Sequence, residues 1–153
     1  MDADDARLTY ERTRAAHLST VQARIAGHIE RLAWPRHRIE RHRDQQLRSL
    51  LAHARDRSPF HARRLRMLDP SAATVADLGS LPMMTKQDAQ DQWDAIVTRD
   101  GLTRDAAERR LAEQQWFSYT SYGEQVFSSG GSSGVRGVYV WDWEFFVSVA
   151  CVA

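Results

Sequence analysis

From residue 4 to residue 32, apolar side chains recur at helical spacing against a charged remainder: Leu8, Ala15, Leu18, Val21, Ile25, Ile29 and Leu32. That period predicts an amphipathic helix that packs on one side only. Trp34-Pro35 should close it, because proline pushes the preceding residue out of the α region. A second stripe, Leu47, Leu50, Leu51 and Ala54, predicts a helix over 37–57. Ser58-Pro59-Phe60 then reads as an N-cap with proline at the first helical position, opening a helix to about Met67, ahead of Asp69-Pro70. Thr74–Leu78 suits a short helical turn. Thr85 followed three residues on by Asp88 resembles a capping box and opens a helix through about Trp93. Ile96-Val97 suits a short extended piece. A further helix is expected over 103–115, with Leu111 and the alanines facing inward.

From Trp116 the pattern turns aromatic and β-branched, which favours strands. Glu124–Phe127 and Val138–Trp141 are short β-type runs on either side of a glycine- and serine-rich stretch. Residues 127–137 hold four of the eight glycines and four serines. Asp142 and Glu144 suit a helix N-terminus, and the chain is then apolar to Ala153. A final helix with no cap, polar tail or breaker is expected to lack its packing partner within the chain. The expected fold class is α+β: a helical N-terminal half, then a β-hairpin carrying the Ser/Gly loop.

Composition changes this picture little. The 153 residues fit one domain, 42% are apolar and 27% charged, and the net charge of +1 gives no global pull toward nucleic acid. The distribution is uneven, with 15 Arg against 8 Asp and Glu over 1–66, and 6 Lys and Arg against 12 Asp and Glu over 67–153. The basic flank Arg36, His37, Arg38, Arg41, His42 and Arg43 reads as a solvated, ion-paired face, with nucleic-acid binding the sharper and less favoured alternative. Lys86 is the single lysine and reads as structural. The six histidines have no compact metal spacing. With one cysteine, Cys151, no intrachain disulfide forms. The acidic N-terminus lacks a secretory h-region and no run reaches membrane-span length. The expected location is the cytoplasm, with neither membrane nor nucleic acid as partner.

The stretch around the loop carries the chemistry. Glycine permits positive φ and close backbone approach, and serine hydroxyls with successive N–H groups can form an anion nest. The bland alternative is a hairpin connection filled with small residues. A Walker-type site is excluded, because no Gly-Lys-Ser/Thr ends the loop.

Three segments in order carry a resemblance. Gln46–Leu65, a leucine-rich helix running into Ser58-Pro59-Phe60, resembles the opening helices of phenylacetate–CoA ligase-like proteins. Leu81-Pro82-Met83-Met84-Thr85-Lys86-Gln87-Asp88 looks like the segment that follows in that family. Ser129–Gly137 is similar to the phosphate-binding loop of AMP-forming, adenylate-forming enzymes. The resemblance covers 46–153 as the beginning of the family's N-terminal domain, with 1–45 a helical extension. The family loop reads roughly Thr-Ser-Gly-Thr-Thr-Gly-x-Pro-Lys. Here Gly130 replaces its second hydroxyl residue, Arg136 stands at the proline and Gly137 at the lysine.

The resemblance implies two-step acyl activation with ATP and Mg²⁺, and CoA as acceptor. A carboxylate and ATP give acyl-adenylate and pyrophosphate, and a thiol then takes the acyl group. The implied phosphate cradle is Ser129, Gly130, Gly131, Ser132, Ser133 and Gly134, with Arg136 as counter-charge in place of the lysine. No catalytic residue and no metal ligand is assigned here. In the family, the adenine and acyl pockets, the Mg²⁺-binding acid, the ribose-binding aspartate and the catalytic lysine follow the loop. This chain alone is therefore expected to be inactive, as an N-terminal fragment whose C-terminal part could be a separate chain. The competing expectation is a non-catalytic helical interaction module with a structural hairpin.

Overall fold

Helix α1 (Ala3–Leu32) opens the computed structural model, which describes residues 3–113, 124–130 and 134–152. Asp4 and Asp5 in its first turn and Arg31 in its last complement the helix dipole. Pro35, with φ −65° and ψ 148°, stands before α2 (Arg36–Arg57) and cannot continue α1. The described chain is mostly helical with one two-stranded antiparallel hairpin, consistent with α+β. It divides into two compact units. One comprises Met1–Ala33, Ala107–Ser129 and Val138–Ala153; the other comprises Trp34–Ala106 and Gly130–Gly137.

In the second unit, α2 buries Leu51 with Leu65 and Ala73, and Leu47, Ala54, Leu68 and Leu81 pack around them. Leu50, expected in the same stripe, is 63% exposed. Positions 47, 51 and 54 fall on one line of the helix, and position 50 falls beside it. Ser58 caps α3 (Pro59–Arg64) as expected. Its buried hydroxyl accepts from the His61 N–H at 3.2 Å and donates to the Ala95 carbonyl at 2.8 Å. One side chain thus ties the α2–α3 corner to α5 (Trp93–Ile96). Helix α3 stops at Arg64, short of Met67, as Leu65 leaves helical geometry at φ −95°, ψ 6°.

A 3-10 turn at Val75–Ser80 begins with Thr74 N–H and hydroxyl both donating to Asp77 Oδ2 at 2.8 Å. Helix α4 (Lys86–Asp91) begins with the full reciprocal box: Thr85 N–H donates to Asp88 Oδ2 (2.9 Å) and Asp88 N–H donates to Thr85 Oγ1 (3.1 Å). The Thr85 hydroxyl and N–H hold the Asp88 carboxyl below the usual carboxylate range. The helix expected to reach Trp93 instead breaks at Gln92 (φ −106°, ψ 22°), and α5 restarts to bury Trp93. Ile96 belongs to α5, and only Val97 is extended.

In the first unit, α6 (Arg104–Glu113), which begins in the other unit, contributes fully buried Ala107, whereas Leu111 is only half-buried. Strands β1 (Gln125–Ser128) and β2 (Val138–Trp141) pair in the register Gln125↔Trp141 to Ser128↔Val138. Val126 and Val138 are buried, and buried Glu124 is ion-paired to Arg110. Asp142 Oδ1 accepts from the Phe145 N–H at 2.8 Å, capping α7 (Trp143–Val152). The expectation that this apolar helix lacks a partner is corrected, because α1 packs along it. Arg24 donates to both Glu144 oxygens at 2.7 and 3.0 Å, His17 stacks on Trp143, and the Cys151 thiol lies 3.9 Å from the Val21 carbonyl. The sequence period missed this pairing because its partners stand 120 or more residues apart.

Two predictions follow from these contacts. Ser58→Ala loses the cap and strands the Ala95 carbonyl, and should lower unfolding free energy by about 1–3 kcal/mol in urea titration. Burial lowers the His17 pKa from 6.5 to about 4. A histidine depressed on folding binds more protons when unfolded, so its contribution is full above pH 6.5 and is lost as pH falls toward 4. Thermal unfolding across that window should lose less stability in His17→Phe, which keeps a ring against Trp143. His61, also depressed by burial and then by Arg64, retains its own share in that variant.

Candidate phosphate-binding loop

The Ser128↔Val138 pair is the last rung of the hairpin, so strand pairing fixes both ends of the Ser129–Gly137 loop. Buried Gly137 and Val138 anchor the returning end, while Gly130, Gly134 and Arg136 are exposed. Gly134 has φ +82°, in the left-handed region where any other residue is strained. A left-handed residue is one of the two conformations from which an anion nest is built. A Cβ added at Gly130 or Gly134 would meet nothing within 4 Å, so both backbones have open space beside them. The arrangement can therefore admit anionic oxygens from outside, with the Arg136 guanidinium two residues beyond Gly134.

Of the sequence-predicted site residues, the structure places Ser129, Gly130, Gly134 and Arg136 on this loop. Gly131, Ser132 and Ser133 lie outside the described residues, so the hydroxyl part of the expected cradle rests on sequence alone. Among the described residues, no group of three His, Cys, Asp or Glu side chains could hold a metal ion.

The two upstream segments of the resemblance meet in space. Arg64 donates through Nε and Nη2 to the Pro82 carbonyl at 2.9 and 2.6 Å. Phe60 from the first segment and Leu81, Pro82 and Met83 from the second line one open groove of about 560 Å³. Arg63, Arg64 and Arg66 edge it, and no carboxylate is among its lining residues. Sequence reading did not foresee this groove. The available signal was the arginines at 63, 64 and 66 next to Phe60 and Met67, apolar side chains beyond those the α2 core needs.

The basic flank of α2 is largely engaged. Arg36 pairs with Glu40 at 2.8 Å, Arg43 with Asp44 at 2.9 Å, and the Arg38 guanidinium lies 3.8 Å above the Trp34 ring. Trp34 thus stacks on one of those arginines, an aromatic partner that the sequence reading of the flank did not identify. Compared with protein-family models, curated proteins and solved structures, the chain matches none of them.

The loop geometry separates two of its glycines. Gly134→Val forces a β-branched residue to positive φ and should cost about 1–2 kcal/mol of stability. Gly130→Ala should stay within about 0.5 kcal/mol of the parent. Denaturant midpoints of the two variants measure the difference.

Proposed function

We propose that the Ser129–Gly137 loop holds the phosphates of ATP in an AMP-forming acid–thiol ligase of the phenylacetate–CoA ligase type, and that this chain supplies the N-terminal part of that enzyme. The observation carrying the reading is a loop built on paired strands with Gly134 at φ +82°, following two other segments of the same resemblance in the same order. In this reading, backbone N–H groups at Gly130, Gly131 and Gly134 and hydroxyls at Ser129, Ser132 and Ser133 bind phosphate oxygens. Arg136 donates charge-assisted hydrogen bonds to the same oxygens. Their work is positioning and charge stabilisation as pyrophosphate departs. ATP when bound supplies the activating phosphoanhydride, Mg²⁺ screens its charge, and CoA receives the acyl group. The groups that would hold the adenine, the metal and the acyl chain belong to other parts of the enzyme.

A second reading, a non-catalytic interaction module, is favoured by one observation: Leu18, Ile25, Ile29 and Leu32 of α1 are exposed at 41% to 84%. Calorimetric titration with ATP separates the two. The ligase reading predicts that ATP and pyrophosphate bind while adenosine does not. Arg136→Ala should weaken ATP by about tenfold, the loss of one charge-assisted hydrogen bond. Equal ATP affinity in Arg136→Ala and Gly134→Val, or no ATP binding at all, would contradict it.

A further inference from the structure

Three guanidiniums, those of Arg63, Arg64 and Arg66, border the groove between α3 and the Leu81–Met83 stretch. Among the described residues, none of the three forms an ion pair. Arg64 donates to the Pro82 carbonyl and Arg63 Nη2 to Gln92 Oε1 at 3.3 Å, both of them neutral oxygens. Arg24, Arg36, Arg57 and Arg110, by contrast, each hold a carboxylate. The acids nearest the groove in sequence are Asp69, Asp77, Asp88 and Asp91. Each already accepts from a close neighbour: from Ser71 and Thr74 at 2.8 Å, and from Thr85 and Gln87 at 2.7 Å. Local bonds that shape turns and helix starts thus occupy the carboxylates that could have neutralised the groove.

Apolar surface stands beside this charge. Met67 is 90% and Met83 92% exposed, while Phe60, Leu68 and Leu81 are half-buried. Methionines adapt their shape to whatever packs on them, and arginine is enriched among the residues that carry binding between proteins. The groove is open, whereas a small-molecule site encloses most of its ligand. A lone small acid would keep much of its surface in water and answer one of three cations. A chain segment answers several at once. Its apolar side chain lies against Phe60 and the methionines, and carboxylates on either side of it reach the arginines. Arg64 is preorganised for that contact, because the Pro82 carbonyl already fixes its guanidinium and less freedom is lost on binding.

We propose that this groove docks a peptide segment of a partner protein, an aromatic or aliphatic side chain flanked by acidic residues. The contact is independent of the phosphate-loop reading. The test uses the full chain and a fluorescein-labelled peptide that carries leucine and phenylalanine between pairs of glutamates. Fluorescence anisotropy should show saturable binding with a dissociation constant below about 1 mM, weakening as salt rises. Lysines in place of the peptide's glutamates should abolish binding. Serines in place of its leucine and phenylalanine should weaken it roughly tenfold or more. Arg66→Glu should weaken it roughly tenfold, since it exchanges an attraction for a repulsion. Arg66 is exposed, so helix content by circular dichroism should stay that of the parent. To place the contact, isotope labelling of the methionine methyls should show the Met67 and Met83 signals shifting as peptide is added. Absence of saturable binding overturns the proposal, as do equal binding of the serine peptide, equal binding by Arg66→Glu, or unmoved Met67 and Met83 signals. Octanoate that displaces the peptide at equal affinity makes a small acid the occupant and overturns it too.

Discussion

A two-stranded hairpin alone is barely stable in water, so whatever geometry the Ser/Gly loop has depends on burial of the strands that carry it. Val126, paired with Val140, and Val138, paired with Ser128, are both almost completely buried. Phe127 and Trp141 add a tilted ring contact at 4.8 Å, and Trp141 meets Phe145 edge-on at 5.1 Å. Through Phe145 the hairpin is coupled to α7, and through α7 to α1. The ion pair between buried Glu124 and Arg110 brings α6 to the start of β1. Loss of either valine would therefore loosen the two ends between which Gly130 and Gly134 are held.

The other unit is organised by polar side chains that end and start helices. Ser58 joins α3 to α5 with one hydroxyl, and the Thr74–Asp77 and Thr85–Asp88 pairs fix two successive helical starts. Arg104 continues the same theme, its N–H donating to Asp94 at 2.6 Å and its guanidinium to the Gln90 carbonyl at 2.7 Å. Arg57 is tied to Asp100 at 2.8 Å. These short helices bury little apolar surface each, and their satisfied ends compensate for that. The arginine-edged groove lies among them, walled by Phe60 and by Leu81–Met83.

Much of this was legible in the sequence wherever the signal is local. Ser58 before Pro59, and Thr85 three residues before Asp88, announce helix starts because a cap is a contact between near neighbours. The two strands follow from β-branched and aromatic runs, and the α+β class from both together. Long-range choices were not legible. Nothing in the period of α1 says that α7 would take the His17–Val21–Arg24 side and leave Leu18, Ile25 and Ile29 open. Leu50 looked equivalent to Leu51 until the line of burial along α2 was known, and the break at Gln92 depends on where Trp93 finds cover. For the loop, composition named the residues, whereas the left-handed Gly134 could be found only from the backbone.

The central claim is that the hairpin loop receives phosphate, and amide hydrogen exchange on the intact chain tests it most directly. With ATP and Mg²⁺ present, exchange should slow at the amides of 129–137 and remain unchanged along α2. Pyrophosphate should reproduce the effect and adenosine should not. Unchanged exchange across 129–137 at saturating ATP, or protection confined to the arginine flank of α2, would contradict the account.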